Sequence, residues 1–233
     1  MQAASAIRPL ARRSILWTLH KQPICPRITA QRAAISTTTA RLQELAAPLN
    51  IPKWSAAELS ENSNLLQPPI NNYCVNNESM TVMIIGGPNA RTDYHINETP
   101  EWFYQYKGSM LLQTVDPFAP PSPNGINPST GGAFKDIRIN EGDIFLLPPN
   151  TPHNPIRFKD SVGVVIEQRR PETSIDRLRW YCNGCGEVVH EKSFYCTDLG
   201  TQLKAAVQAF ENDIEARKCK KCGEVCEVKP KQT

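Results

Sequence analysis

Between residues 80 and 167 the apolar residues come only in short runs, and each run is stopped by a turn or a breaker. Met80–Ile85 ends at Gly86-Gly87, Glu101–Tyr106 at Lys107-Gly108, and Ile144–Leu147 at Pro148-Pro149. Phe134–Ile139 meets the turn Asn140-Glu141-Gly142-Asp143. Met110–Val115 runs into a loop, residues 116–132, that holds Pro117, Pro120, Pro121, Pro123 and Pro128 and closes on Gly131-Gly132. Val162–Glu167 reads as the last clear strand. Short strands at about ten-residue spacing predict an all-β sandwich or barrel, and 20 prolines argue against a helix bundle. Two helices interrupt the pattern. One is short, over Ala56–Leu66, before Pro68-Pro69. The other spans about 200–217, where Leu203, Val207, Phe210 and Ile214 recur at helical spacing as a core face.

The formal net charge of +3 hides an asymmetry. Residues 1–43 carry seven basic residues and no acid, leaving 19 basic and 23 acidic residues in the rest. Arg-rich, free of acids through residue 43 and dotted with Ser and Thr, residues 1–44 read as an N-terminal leader outside the fold, either disordered or a mitochondrial transit segment. The remaining body is mildly acidic, which argues against nucleic acid or an anionic membrane as partner. No run approaches the roughly 18 apolar residues of a membrane span.

Eight cysteines include two knuckles, Cys182-Asn-Gly-Cys185-Gly186 and Cys219-Lys-Lys-Cys222-Gly223, 33 residues apart. Each turn aims two thiolates at one ion, and the glycine permits the tight turn after the second Cys. Four thiolates suit tetrahedral Zn or Fe. A C-terminal knuckle pair of this kind is expected to be structural, stapling a part with little core of its own. Cys74, Cys196 and Cys226 read as bystanders.

The chain has four histidines, of which His95 and His153 have a chemical context. Glu101 follows His95 by six residues across a turn at Pro100, so both can aim at one point from adjacent strand ends. His153, from a later strand, completes two imidazoles and one carboxylate. That set leaves three positions open on Fe(II), enough for a bidentate ligand and O₂. Asp93 is expected to orient a neighbour rather than to ligate.

The segments Gly87 to Gly108 and Gly142 to Arg157 resemble the paired motifs of the cupin superfamily, with Asp93 in place of one usual His and Asn150 in place of a usual Gly. The resemblance sharpens over about 45–233. Arg91-Thr-Asp-Tyr-His95, Glu98-Thr-Pro-Glu101, Pro148-Pro-Asn-Thr-Pro-His153 and the two knuckles are similar to the 3-hydroxyanthranilate 3,4-dioxygenase family of the bacterial and fungal type. This resemblance implies a mainly β cupin jelly-roll barrel over 45–178, followed by a C-terminal helix and a small rubredoxin-like four-cysteine metal site over 179–233. It implies Fe(II) on His95, Glu101 and His153, and a second Fe or Zn on Cys182, Cys185, Cys219 and Cys222. It further implies O₂ as cosubstrate, substrate and oxygen contacts from Arg91, Glu101, Arg157 and Glu167, a homodimer and a cytoplasmic location. Arg157 is expected to take the substrate carboxylate in its fork, with Glu167 steadying it. The implied reaction opens the ring of 3-hydroxyanthranilate to 2-amino-3-carboxymuconate semialdehyde. That product is the precursor of quinolinate on the route from tryptophan through kynurenine to NAD. Two other readings compete: a cupin isomerase or epimerase, and a zinc-ribbon module on a cupin scaffold. The Pro-rich loop 116–132 is expected to border the site mouth or a dimer surface.

Overall fold

The computed structural model describes residues 48–51, 71–77, 79–89 and 91–229. The leader over 1–44 and the whole of the expected helix over Ala56–Leu66 lie outside the described residues. The rest is mainly β. Strands β1 (Asn72–Asn77), β2 (Met80–Gly86), β3 (Tyr94–Ile96), β4 (Glu101–Lys107), β5 (Met110–Asp116) and β6 (Ala133–Ile139) come first. Then follow β7 (Ile144–Leu147), β8 (His153–Arg157), β9 (Val162–Gln168), β10 (Ile175–Tyr181) and β11 (Val188–Tyr195). Helices α1 (Leu199–Asn212) and α2 (Ile214–Arg217) follow β11.

The strands form two antiparallel sheets, in the orders β1-β2-β9-β4-β7 and β11-β10-β3-β8-β5-β6. Within them β2 pairs β9, β3 pairs β8, β4 pairs β7 and β5 pairs β6. That nesting is one long hairpin with its tip at β5–β6, rolled up so that alternate pairs fall in opposite sheets, which is the jelly roll. Strand alternation sorts the side chains. Met83, Phe103, Leu147 and Val165 of one sheet pack against Met110, Leu112 and Ile139 of the other.

The structure corrects the reading of the C-terminal third. Val162–Gln168 is not the last strand, because β10 and β11 extend the six-stranded sheet through the β10–β3 ladder. Position 178, where the sequence suggested the catalytic part ends, lies inside β10. These strands were obscured by charge: Arg177 and Arg179 alternate with Leu178 and Trp180, so only one face is apolar. The long helix is also broken. Asp213 stands outside helical geometry, and its side chain accepts from the Glu215 and Ala216 N–H groups, which ends α1 and starts α2. Ile214 is therefore 61% exposed, while Leu203, Val207 and Phe210 do pack on Leu178 and Trp180. Phe210 stacks on Trp180 with ring centroids 4.3 Å apart.

Candidate metal centre and active site

β3 and β8 meet at one register pair, His95 opposite His153. Glu101 opens β4 and lies opposite Glu167 of β9. Ligand atoms of His95, Glu101 and His153 all fall within 4.8 Å of one another, and all three residues are buried. His153 Nε2 is 3.4 Å from Glu101 Oε2, and His95 Nδ1 is 3.7 Å from Glu101 Oε1. The far ring nitrogens are engaged: His153 Nδ1 lies 2.9 Å from the Thr151 carbonyl, and His95 Nε2 lies 2.8 Å from Asp176 Oδ2. With both rings neutral and each outward nitrogen donating to its oxygen, a bare nitrogen of each ring faces inward. The inward set of two lone pairs and a carboxylate fits a divalent first-row metal.

The loop between His95 and Glu101 is folded by Asn97. Its Oδ1 accepts from the Thr99 N–H at 2.6 Å and the Thr99 hydroxyl at 3.0 Å, and its Nδ2 donates to Glu101 Oε1 at 2.6 Å. On the other motif, Asn150 stands at φ +59°. Asn tolerates this left-handed backbone better than most residues, so the replacement of a usual glycine keeps the turn. Burial pushes the Glu101 carboxyl up, but His153 and His95 beside it bring it down to about 2. Glu167 goes the other way. Burial and the facing Glu101 push it up to about 8, against the pull of Arg170.

Arg91, His95, Glu101, His153, Arg157 and Glu167 line one cavity of about 40 Å³, with Phe103 and Val165 among its apolar walls and Leu199 of α1 beside them. Buried Arg91 is tied to fully buried Asp93, Nε to Oδ1 at 3.0 Å. Arg157 is buried too, and among the described residues its guanidinium faces an amide rather than a carboxylate, with Nη1 3.5 Å from Gln105 Oε1. Gln105 is aimed by its own Nε2, which donates to the Lys107 carbonyl at 2.8 Å. The expectation that Glu167 steadies Arg157 is corrected: Glu167 Oε2 accepts from Arg170 Nη1 at 2.8 Å. Among the described residues the Arg157 guanidinium has no ion-pair partner.

The second cluster is built from two matching turns. Gly186 N–H donates to the Cys182 carbonyl at 2.8 Å, and Gly223 N–H to the Cys219 carbonyl at 2.9 Å. Both glycines have positive φ, +73° and +79°, a conformation that side chains disfavour. The Sγ atoms of Cys182, Cys185, Cys219 and Cys222 fall within 4.8 Å of one another, a closed set suited to one tetrahedral ion. Cys226 is buried against Leu178 and Trp180 instead. The Pro-rich loop docks on the first knuckle, with Ser129 N–H donating to the Gly186 carbonyl at 2.8 Å. None of its residues lines the cavity.

A model of the 3-hydroxyanthranilic acid dioxygenase family matches residues 44–211. The chain belongs to that family. Relatives named 3-hydroxyanthranilate 3,4-dioxygenase include one from Podospora anserina, 65% identical over 80% of this chain and 92% of the relative. Another, from Neurospora crassa, is 60% identical over 80% of this chain and 94% of the relative. Among solved structures, a cupin-2 domain protein from Shewanella frigidimarina matches distantly, with a TM-score of 0.35 and 12% identity over 52% of this chain and 94% of that one. As a member of the dioxygenase family, the chain is an oxidoreductase.

Sequence reasoning missed three members of this dioxygenase-family site. Asp176 and Arg170 went unseen because β10 did, although an acid in register with Leu178 and Trp180 was the available signal. Gly163 was read as part of an ordinary strand. A Cβ there would lie 2.5 Å from Arg157 Nη1 and 2.9 Å from Gln105 Oε1. Both are ends of flexible side chains, so Gly163→Ala is expected to fold and to move the guanidinium. KM should rise roughly tenfold, the loss of one charge-assisted hydrogen bond, with a melting temperature within a few degrees of wild type. An unchanged KM would show that Arg157 is not held by this slot.

Proposed function

We propose that the protein uses Fe(II) and O₂ to cleave the ring of 3-hydroxyanthranilate, forming 2-amino-3-carboxymuconate semialdehyde, the precursor of quinolinate on the kynurenine route to NAD. The observation that carries this reading is one buried cavity that joins a His-Glu-His ligand set to an unpaired arginine. His95, Glu101 and His153 would hold the iron, which supplies the redox and Lewis-acid chemistry that ring opening by O₂ requires. The rest falls to the chain's own side chains. The planar fork of Arg157 binds the substrate carboxylate and fixes the ring's orientation. Phe103 and Val165 flank the ring and exclude water. Glu167 accepts a hydrogen bond from the ring amine, and near neutral pH it can hold a proton on one carboxyl oxygen. Arg91, fixed by Asp93, faces negative charge that develops on oxygen. The four-cysteine set would hold a second Fe or Zn as a staple.

The reading includes a homodimer. On the outer face of the five-stranded sheet, Trp102 pairs with Leu146 and Tyr104 with Ile144. All four are exposed, a surface suited to self-association.

The test is to add 3-hydroxyanthranilate to iron-loaded protein and follow O₂ uptake together with the near-ultraviolet absorbance of the opened product. Folded, iron-loaded protein that takes up no oxygen would remove the assignment. Arg157→Lys keeps the charge and loses the fork, so KM should rise roughly ten- to hundredfold, or about 1.5–3 kcal/mol, while iron content stays at wild-type level. A rise in kcat alone would contradict the carboxylate role.

A further inference from the structure

Behind the ligand set stands a second, fully buried carboxylate. Asp176 lies on the same face of β10 as Leu178, the register partner of His95. Its Oδ2 is 2.8 Å from His95 Nε2. Arg170, from the segment joining β9 to β10, clamps it: Nε is 2.8 Å from Oδ1 and 3.0 Å from Oδ2. The same guanidinium reaches Glu167 Oε2 through Nη1 at 2.8 Å. Glu167 in turn faces Glu101 across β9 and β4. The five residues close a ring that runs from Glu101 through His95, Asp176, Arg170 and Glu167 back to Glu101.

We propose that Asp176 and Arg170 are positioning residues, with Asp176 holding His95 as the tautomer that offers Nδ1 to the metal and Arg170 tying that carboxylate to the substrate-facing Glu167. The proposal rests on the metal-binding reading of His95, Glu101 and His153. An ionised carboxylate only accepts hydrogen bonds. A neutral His95 must therefore carry its proton on Nε2, which leaves Nδ1 bare toward Glu101. An amide in the same place can donate instead, move the proton to Nδ1 and block the metal side. Arg170 serves two carboxylates through two diverging N–H directions, a geometry that a lysine ammonium on a flexible stem does not reproduce. One guanidinium thereby sets the orientation of a metal ligand and of a substrate contact together.

The experiment uses the full chain stripped of metal by chelation. Co(II) is titrated into wild type, Asp176→Asn and Arg170→Lys, and the spectrum is recorded. Asp176→Asn should bind Co(II) roughly 10- to 100-fold more weakly, with ¹⁵N shifts showing the His95 proton moved from Nε2 to Nδ1. Arg170→Lys should weaken Co(II) binding and raise the KM for 3-hydroxyanthranilate together. Co(II) affinity unchanged in folded Asp176→Asn overturns the proposal, as does an Arg170→Lys protein in which only one of the two quantities moves. Should Asp176→Asn fail to fold, the wild-type nitrogen spectrum decides, because a metal-free His95 protonated at Nδ1 is equally fatal. Neither the titration nor the spectrum needs the substrate. Wild-type protein that binds Co(II) but consumes no O₂ with 3-hydroxyanthranilate would sink the substrate reading alone.

Discussion

His153→Ala protein is expected to emerge from gel filtration without stoichiometric iron and with O₂ uptake at background. His153 supplies one of three convergent donors, and beyond His95, itself one of the three, no described histidine or cysteine lines the cavity to replace it. Losing an outer-shell partner already costs metal affinity about 10- to 100-fold, so loss of a ligand should cost more than a hundredfold. The variant also removes the imidazole 3.4 Å from Glu101, leaving a buried carboxylate short of a partner, which is costly in itself. His153→Gln therefore belongs beside it. Gln keeps a polar group in the slot and should fold more readily while still failing to hold iron. Iron content by elemental analysis, read with a melting curve, separates the two effects. A folded His153→Gln protein with a full complement of iron would mean that the ligand set is wrong.

Cys222→Ser should act in the opposite sense, lowering stability while leaving turnover within about threefold of wild type at 25 °C. Cys222 stands 3.5 Å from Cys182, which directly follows β10. The four sulfurs tie that strand end to the segment after α2, where Cys219 N–H donates to the Glu224 carbonyl at 2.7 Å. None of the four cysteines lines the cavity. Structural metal sites of this type bind with apparent free energies of about 10 kcal/mol or more in isolated peptides. Here the helix and β10 have their own packing, so a smaller loss of about 3 kcal/mol is expected. For a chain of this size that lowers the melting temperature by roughly 6–12 °C. Elemental analysis should show the second metal gone. Abolished activity in folded Cys222→Ser protein would give the four-cysteine site a part in the chemistry.

The barrel strands were legible because turn residues bracket each apolar run, and the convergence of His95, Glu101 and His153 because they sit in unusually specific motifs. What stayed hidden follows from how strands carry information. β3 is three residues long, too short for any periodicity, yet it presents His95. β10 alternates charge with apolar groups, and its arginines masked the inward Asp176. The partner of Glu167 could not be read from spacing, since Arg157 and Arg170 are equal candidates until the β9–β10 turn is seen to carry Arg170 back over the sheet. The break at Asp213 was available in principle, because an Asp whose side chain can cap the next turn competes with the helix it interrupts.

The nested pairing of the strands also bears on how the molecule comes to exist. β2 must find β9 and β3 must find β8 across most of the barrel sequence, whereas β1–β2, β5–β6 and β10–β11 are the paired strands that are neighbours along the chain. Such high contact order places folding in the millisecond-to-second range rather than in microseconds. His95 and His153 come from the two arms of that hairpin, so they converge only once it has rolled up. On the proposed metal-binding reading, a newly made chain therefore offers no high-affinity His-Glu-His site until the barrel has formed, and metal capture there would mark the completion of folding rather than its start.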